Sequence, residues 1–172
     1  MKIRHFILFL FLLTTQLLQA QMAHVKMLGT ISAESGDYNF KSDEFPIEIW
    51  GNGNLISTHF PDENGAYEIT LLFGMEYRMR FGTNPWVVKM VDVNLNTTIF
   101  PAGNIGYTLH NDISLFRHLP GSDFHFLDTM PVAVANFDYE ANCMVWDTFY
   151  SKKLTESIIL SLKNSNQLKP MP

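Results

Sequence analysis

Apolar and polar residues alternate one for one along most of this chain, and that period of two leaves few folds open. Val25, Met27, Gly29 and Ile31 alternate with Lys26, Leu28 and Thr30; Ile47 and Ile49 flank Glu48; Leu55 to Phe60 is a short β-prone run. Tyr67, Ile69 and Leu71 alternate with Glu68 and Thr70; Tyr77, Met79 and Phe81 with Arg78 and Arg80; Val91, Val93 and Leu95 with Asp92 and Asn94; Leu109, Ile113 and Leu115 continue the pattern. A strand puts successive side chains on opposite faces, so one set enters the core and the other meets water. The gaps hold turn residues: Gly51-Asn52-Gly53-Asn54, Pro61-Asp62-Glu63-Asn64-Gly65, Gly82 to Pro85 and Pro101 to Gly106. About seven short strands at roughly ten-residue spacing predict a mainly β protein, an antiparallel Ig-like or transthyretin-like β-sandwich spanning residues 24–116.

The ends of the chain follow other rules. Residues 1–20 read as a secretory signal peptide, with Lys2 and Arg4 before the apolar block Phe6 to Leu13 and Ala20 at the expected cleavage point. That block is far short of the roughly 20 residues a membrane span needs, so no span is expected after cleavage. The expected location is periplasmic or secreted. Residues 117–146 are aromatic-rich and irregular, with Val132 to Phe137 as a possible extra strand. Over residues 147–163 the period changes: Tyr150, Leu154, Ile158 and Leu162 lie four apart, which marks one apolar stripe on a helix, capped by Asp147 or Ser151. Residues 164–172 are a polar tail.

Charge and cysteine content exclude whole classes. The formal net charge is −5, and losing Lys2 and Arg4 with the leader makes it two units more negative. Such a surface does not suit nucleic acid or an anionic membrane. A single cysteine, Cys143, allows no internal disulfide, and it is expected to be a buried, inert hydrophobe.

Catalytic patterns are sparse. No H-E-x-x-H pair, G-x-S-x-G elbow or phosphate-binding glycine loop occurs. The tightest grouping of metal-ligand residue types is His118, Asp123 and His125, at a spacing looser than zinc sites use. The Asp62 to Gly65 segment lacks the ligand run of a calcium loop and reads as a hairpin turn. Neighbouring carboxylates such as Asp43/Glu44 and Asp62/Glu63 face opposite sides of a strand. Aromatics are the remaining candidates for a site. Trp50 is expected in the core; Trp86, beside Pro85 after a turn, is expected to be the more exposed and, with Tyr107, to offer a stacking surface for a ligand.

Several segments carry a resemblance. Met27-x-Gly29-x-Ile31, Ile47-Glu48-Ile49-Trp50, Asp62-Glu63-Asn64-Gly65-x-Tyr67-x-Ile69 and Gly74-Met75-Glu76-Tyr77 resemble the carboxypeptidase regulatory-like domain, a transthyretin-like (prealbumin-like) sandwich, over residues 24–95. Asn111 to Phe116, Pro120 to Phe124 and Pro131 to Ala133 are similar to the tail of exported bacterial members. The long polar loop from Ala33 to Glu44 departs from the family's short link. The resemblance implies a non-catalytic module, because the catalytic residues of the name-giving enzymes lie in another domain; none carries over.

Three readings follow. The first is a non-catalytic exported accessory module, without cofactor, that meets an envelope or extracellular protein through loops and an edge strand. The second is a carbohydrate or small-ligand module using Trp86 and Tyr107. The third is a small metal-dependent hydrolase built on His118, Asp123 and His125.

Overall fold

A computed structural model describes residues 23–34, 40–97, 106–118 and 124–167. Residues 1–20, expected to be a signal peptide, together with Asp123 and the C-terminal residues 168–172, lie outside the described residues. Ten strands are present among those described: β1 (His24–Glu34), β2 (Ile47–Gly51), β3 (Asn54–His59), β4 (Ala66–Leu72), β5 (Glu76–Phe81), β6 (Lys89–Asn94), β7 (Gly106–His110), β8 (Ile113–Phe116), β9 (Ala133–Asp138) and β10 (Cys143–Trp146). One helix, α1 (Thr148–Gln167), follows them.

The strands form two sheets. The smaller has the order β4-β1-β7, with β8 also paired to β1; the larger has the order β10-β9-β6-β5-β2-β3. Both are mixed. β1 runs parallel to β7 over its first half and parallel to β8 over its second, and β6 runs parallel to β9. The period of two does not distinguish parallel from antiparallel neighbours, because it records only which face is buried. β9 and β10 add the larger sheet's far flank; β9 overlaps the possible extra strand Val132 to Phe137, and β10 comes from the part of residues 117–146 read as irregular.

The alternating residues meet between the sheets. Val25, Met27, Ile69, Leu71 and Leu115 from one sheet pack against Ile47, Met79, Phe81, Val91 and Val93 from the other, all buried. Burial of each such side chain contributes about 1.5–3 kcal/mol. Aromatic rings close one end of this core, where Phe137 meets Phe73 and Tyr107 edge-on at centroid distances of 5.4 and 5.2 Å.

Local chemistry sets the connections. Asn52 and Gly53 sit at φ of 47° and 82°, the left-handed pair that a two-residue hairpin turn requires, and they join β2 to β3. The Asp62 carboxylate accepts the main-chain N–H groups of Asn64 and Ala66, each at 2.8 Å, which shapes the turn into β4. At the helix start Asp147 Oδ1 accepts the Tyr150 N–H at 2.8 Å, an N-cap. Leu154 docks the helix against Val87, Phe124 and Leu127 in a second, smaller core, with Tyr150 and Ile158 beside it. The Tyr150 hydroxyl donates to the Pro131 carbonyl at 2.9 Å. Ile159, on the flank of the stripe, stays exposed.

Candidate functional site

The expected stacking residues are both interior. Trp86 is 2% exposed; its ring tilts against Phe45 at 5.4 Å, and the Arg117 guanidinium covers it at 5.2 Å. Tyr107 is 9% exposed and donates its hydroxyl to Asn142 Oδ1 at 2.9 Å. Neither ring has a face open to a ligand, which corrects the expectation for both. Trp86 is covered by side chains distant in sequence, so its place after a turn did not expose it.

The metal candidates are described only in part. His118 is exposed, His125 is exposed with Nδ1 3.2 Å from Asp128 Oδ2, and Asp123 lies outside the described residues. Among the described residues no three His, Cys, Asp or Glu side chains converge to hold a metal. Cys143 is half-buried at the start of β10 and is not part of the main core, another departure from expectation.

Two other features stand out. The first is an open groove of about 700 Å³ on the outer face of the larger sheet. Strand register builds its floor: Trp50 on β2 lies opposite Arg78 on β5, Arg78 opposite Asp92 on β6, and Asp92 opposite Val134 on β9. Arg78 grips Asp92 with two hydrogen bonds, Nε and Nη2 each donating at 2.8 Å. This pairing holds the Arg78 guanidinium above its ordinary pKa, hydrogen bonding to Asp92 outweighing partial burial. In the next row Arg80 Nη1 donates to Glu48 Oε2 at 2.9 Å, and Trp50 Nε1 donates to the same oxygen at 3.1 Å. A further row carries Glu76, Asn94 and Asn136. Asn52 at the hairpin tip and Asp128 also line the groove.

Trp50 is therefore half-buried on the wet face, where a core position was expected. The alternation itself signalled this: with Ile47 and Ile49 inward, Glu48 and Trp50 must point outward. The polar outward sets of β2, β5 and β6 were visible in the sequence, but their adjacency was not.

The second feature is the free edge of the same sheet. Among the described residues β3 pairs with β2 alone and ends the sheet order. Leu55 and Ile56 on it are each 51% exposed, and Phe60 just beyond it is 56% exposed. A register shift between Ile49 and Trp50 places a bulge in this pairing.

No family model matches the chain, and no curated protein matches it. Among solved structures, the Bacillus anthracis TIE protein aligns over 55% of this chain and 17% of its own, at 16% identity and a TM-score of 0.38. A DUF3823 family protein from Parabacteroides merdae ATCC 43184 aligns over 56% of this chain and 46% of its own, at 22% identity and a TM-score of 0.35. This chain thus spans less than half the length of either. Among the described residues no helix is long and apolar enough to cross a membrane.

Proposed function

We propose that this chain is a non-catalytic exported binding module that engages another protein by strand addition at β3. The observation that carries this reading is the uncharged free edge strand β3, whose apolar side chains stand in solvent although a bulge interrupts its pairing with β2. Natural sheets protect free edges with lysine, proline or inward-pointing charge, because unpaired N–H and C=O groups recruit further strands. Asn54–His59 contains no Lys, Arg, Asp, Glu or Pro, and its apolar side chains are half exposed. The edge of the smaller sheet differs: β4 carries Glu68, ion-paired to Lys26 at 2.7 Å. An extended segment of a partner would gain main-chain hydrogen bonds along β3 and apolar contact with Leu55, Ile56 and Phe60. The leader-like residues 1–20 support placing this interaction in the periplasm or outside the cell.

The test is photo-crosslinking in the exporting cell. A benzophenone amino acid at Thr58 gives an adduct of discrete mass, and the same probe at Glu68 does not. Leu55→Lys abolishes the Thr58 adduct with unfolding unchanged. Absence of any adduct, or equal adducts from both edges, removes the proposal.

A further inference from the structure

We propose that the groove on the outer face of the larger sheet is a second binding site, one for a neutral saccharide, with Trp50 as its stacking platform. Four observations define the ligand chemistry.

Trp50 is held in place before any ligand arrives. Its indole N–H is engaged by Glu48 at 3.1 Å, and Arg80 braces that carboxylate at 2.9 Å. Trp50 lines the groove and is only half-buried, so its indole has little rotamer freedom left to lose on binding. The C–H face of a pyranose is the complementary surface.

The polar groups around it offer donors and acceptors together. The Arg78–Asp92 pair has N–H groups and carboxylate lone pairs to spare after its two mutual bonds; the amides of Asn52, Asn94 and Asn136 each carry both functions, with one lone pair of Asn52 Oδ1 and of Asn94 Oδ1 already taken by the N–H groups of Glu76 and Asn96. A sugar hydroxyl both donates and accepts, so it suits this mixture. An apolar ligand would bury these groups without replacing their water.

Charge excludes the anionic alternatives. Arg78 is matched by Asp92 and Arg80 by Glu48, while Glu76 and Asp128 add two further carboxylates. A phosphate, sulfate or sialic acid would meet net repulsion here. A cation would use acceptors only, and it would lie against both guanidinium groups.

Size agrees with this chemistry. A groove of about 700 Å³ falls within the range that small-molecule sites occupy.

The test uses the exported chain on an array of cello-, malto-, manno- and xylo-oligosaccharides. Sialylated and sulfated glycans form the anionic arm, and spermine, read by calorimetry, forms the cationic arm. The wild type binds at least one neutral oligosaccharide. Trp50→Ala weakens it by about tenfold or more, the loss of one stacking face, and Trp50→Phe retains part of the affinity. Asn136→Ala, which leaves the aromatic platform and the ion pairs intact, also weakens it and covers the case in which Trp50→Ala fails to fold. The site is overturned if the folded wild type binds no neutral oligosaccharide, if only the anionic or cationic arm binds, or if folded Trp50→Ala binds as well as wild type.

Discussion

The Tyr67 hydroxyl donates to the main-chain carbonyl of Asn111 at 2.6 Å, and the two groups meet over Gly29. Tyr67 lies opposite Gly29 in the β1–β4 ladder. On the other side of β1 the chain leaves β7 and enters β8 through Asn111 and Asp112. There the Asn111 N–H bonds to the Leu28 carbonyl at 2.9 Å, and Asp112 Oδ1 accepts both the N–H and the hydroxyl of Thr30 at 2.8 Å. These bonds let one strand hold two parallel neighbours in succession.

Gly29→Ala is expected to be severely destabilising. An added Cβ would stand 1.9 Å from the Asn111 carbonyl oxygen, which is backbone and tied into the strand crossover. The cost is about 3 kcal/mol or more, by overpacking. Gly53→Ala is the contrast: its Cβ meets nothing within 4 Å, and only the φ of 82° opposes it, for about 1 kcal/mol. Urea unfolding of the two variants gives the comparison, and similar midpoints would contradict it.

Stability is expected to decline in alkali through Tyr67. Burial pushes this phenol far above its ordinary value of 10. Because the folded state favours the neutral form, its contribution is fully present below about pH 10 and is lost as pH rises further, while the unfolded chain ionises first. Tyr67→Phe should cost about 1–2 kcal/mol at neutral pH, from the unsatisfied Asn111 carbonyl, and should flatten the alkaline slope. Tyr77, also raised by burial, keeps some slope in the variant. Chemical denaturation from pH 7 to 11 reads both effects.

The two tryptophans should separate cleanly. Trp86→Ala removes a fully packed ring and is expected to cost about 3–5 kcal/mol. Trp50→Ala removes a half-buried ring from the outer face, for about 1 kcal/mol. Equal losses in thermal or urea unfolding would contradict this placement.

Much of the sandwich was legible because burying one face of a strand forces alternation into the sequence. Val25/Met27/Ile31, Tyr77/Met79/Phe81 and Val91/Val93 all point inward as their spacing requires. Asp147 caps the helix for an equally local reason, since the bond spans three residues. Trp86 was misplaced because no period surrounds it; its burial comes from Phe45 and Arg117, which only the folded chain brings near. The groove was hidden for the same reason. Arg78 and Asp92 are fourteen residues apart and meet only because β5 pairs with β6.

By itself the amino-acid sequence determined which residues of the alternating strands face inward, where the chain turns and where its helix begins, because those outcomes depend on side-chain period, on φ preferences and on bonds between near neighbours. The tertiary structure alone decided strand order, the parallel pairings of β1 and β6, and which outward-facing side chains share one surface. Those depend on contacts between segments far apart in the chain, and no local pattern encodes them.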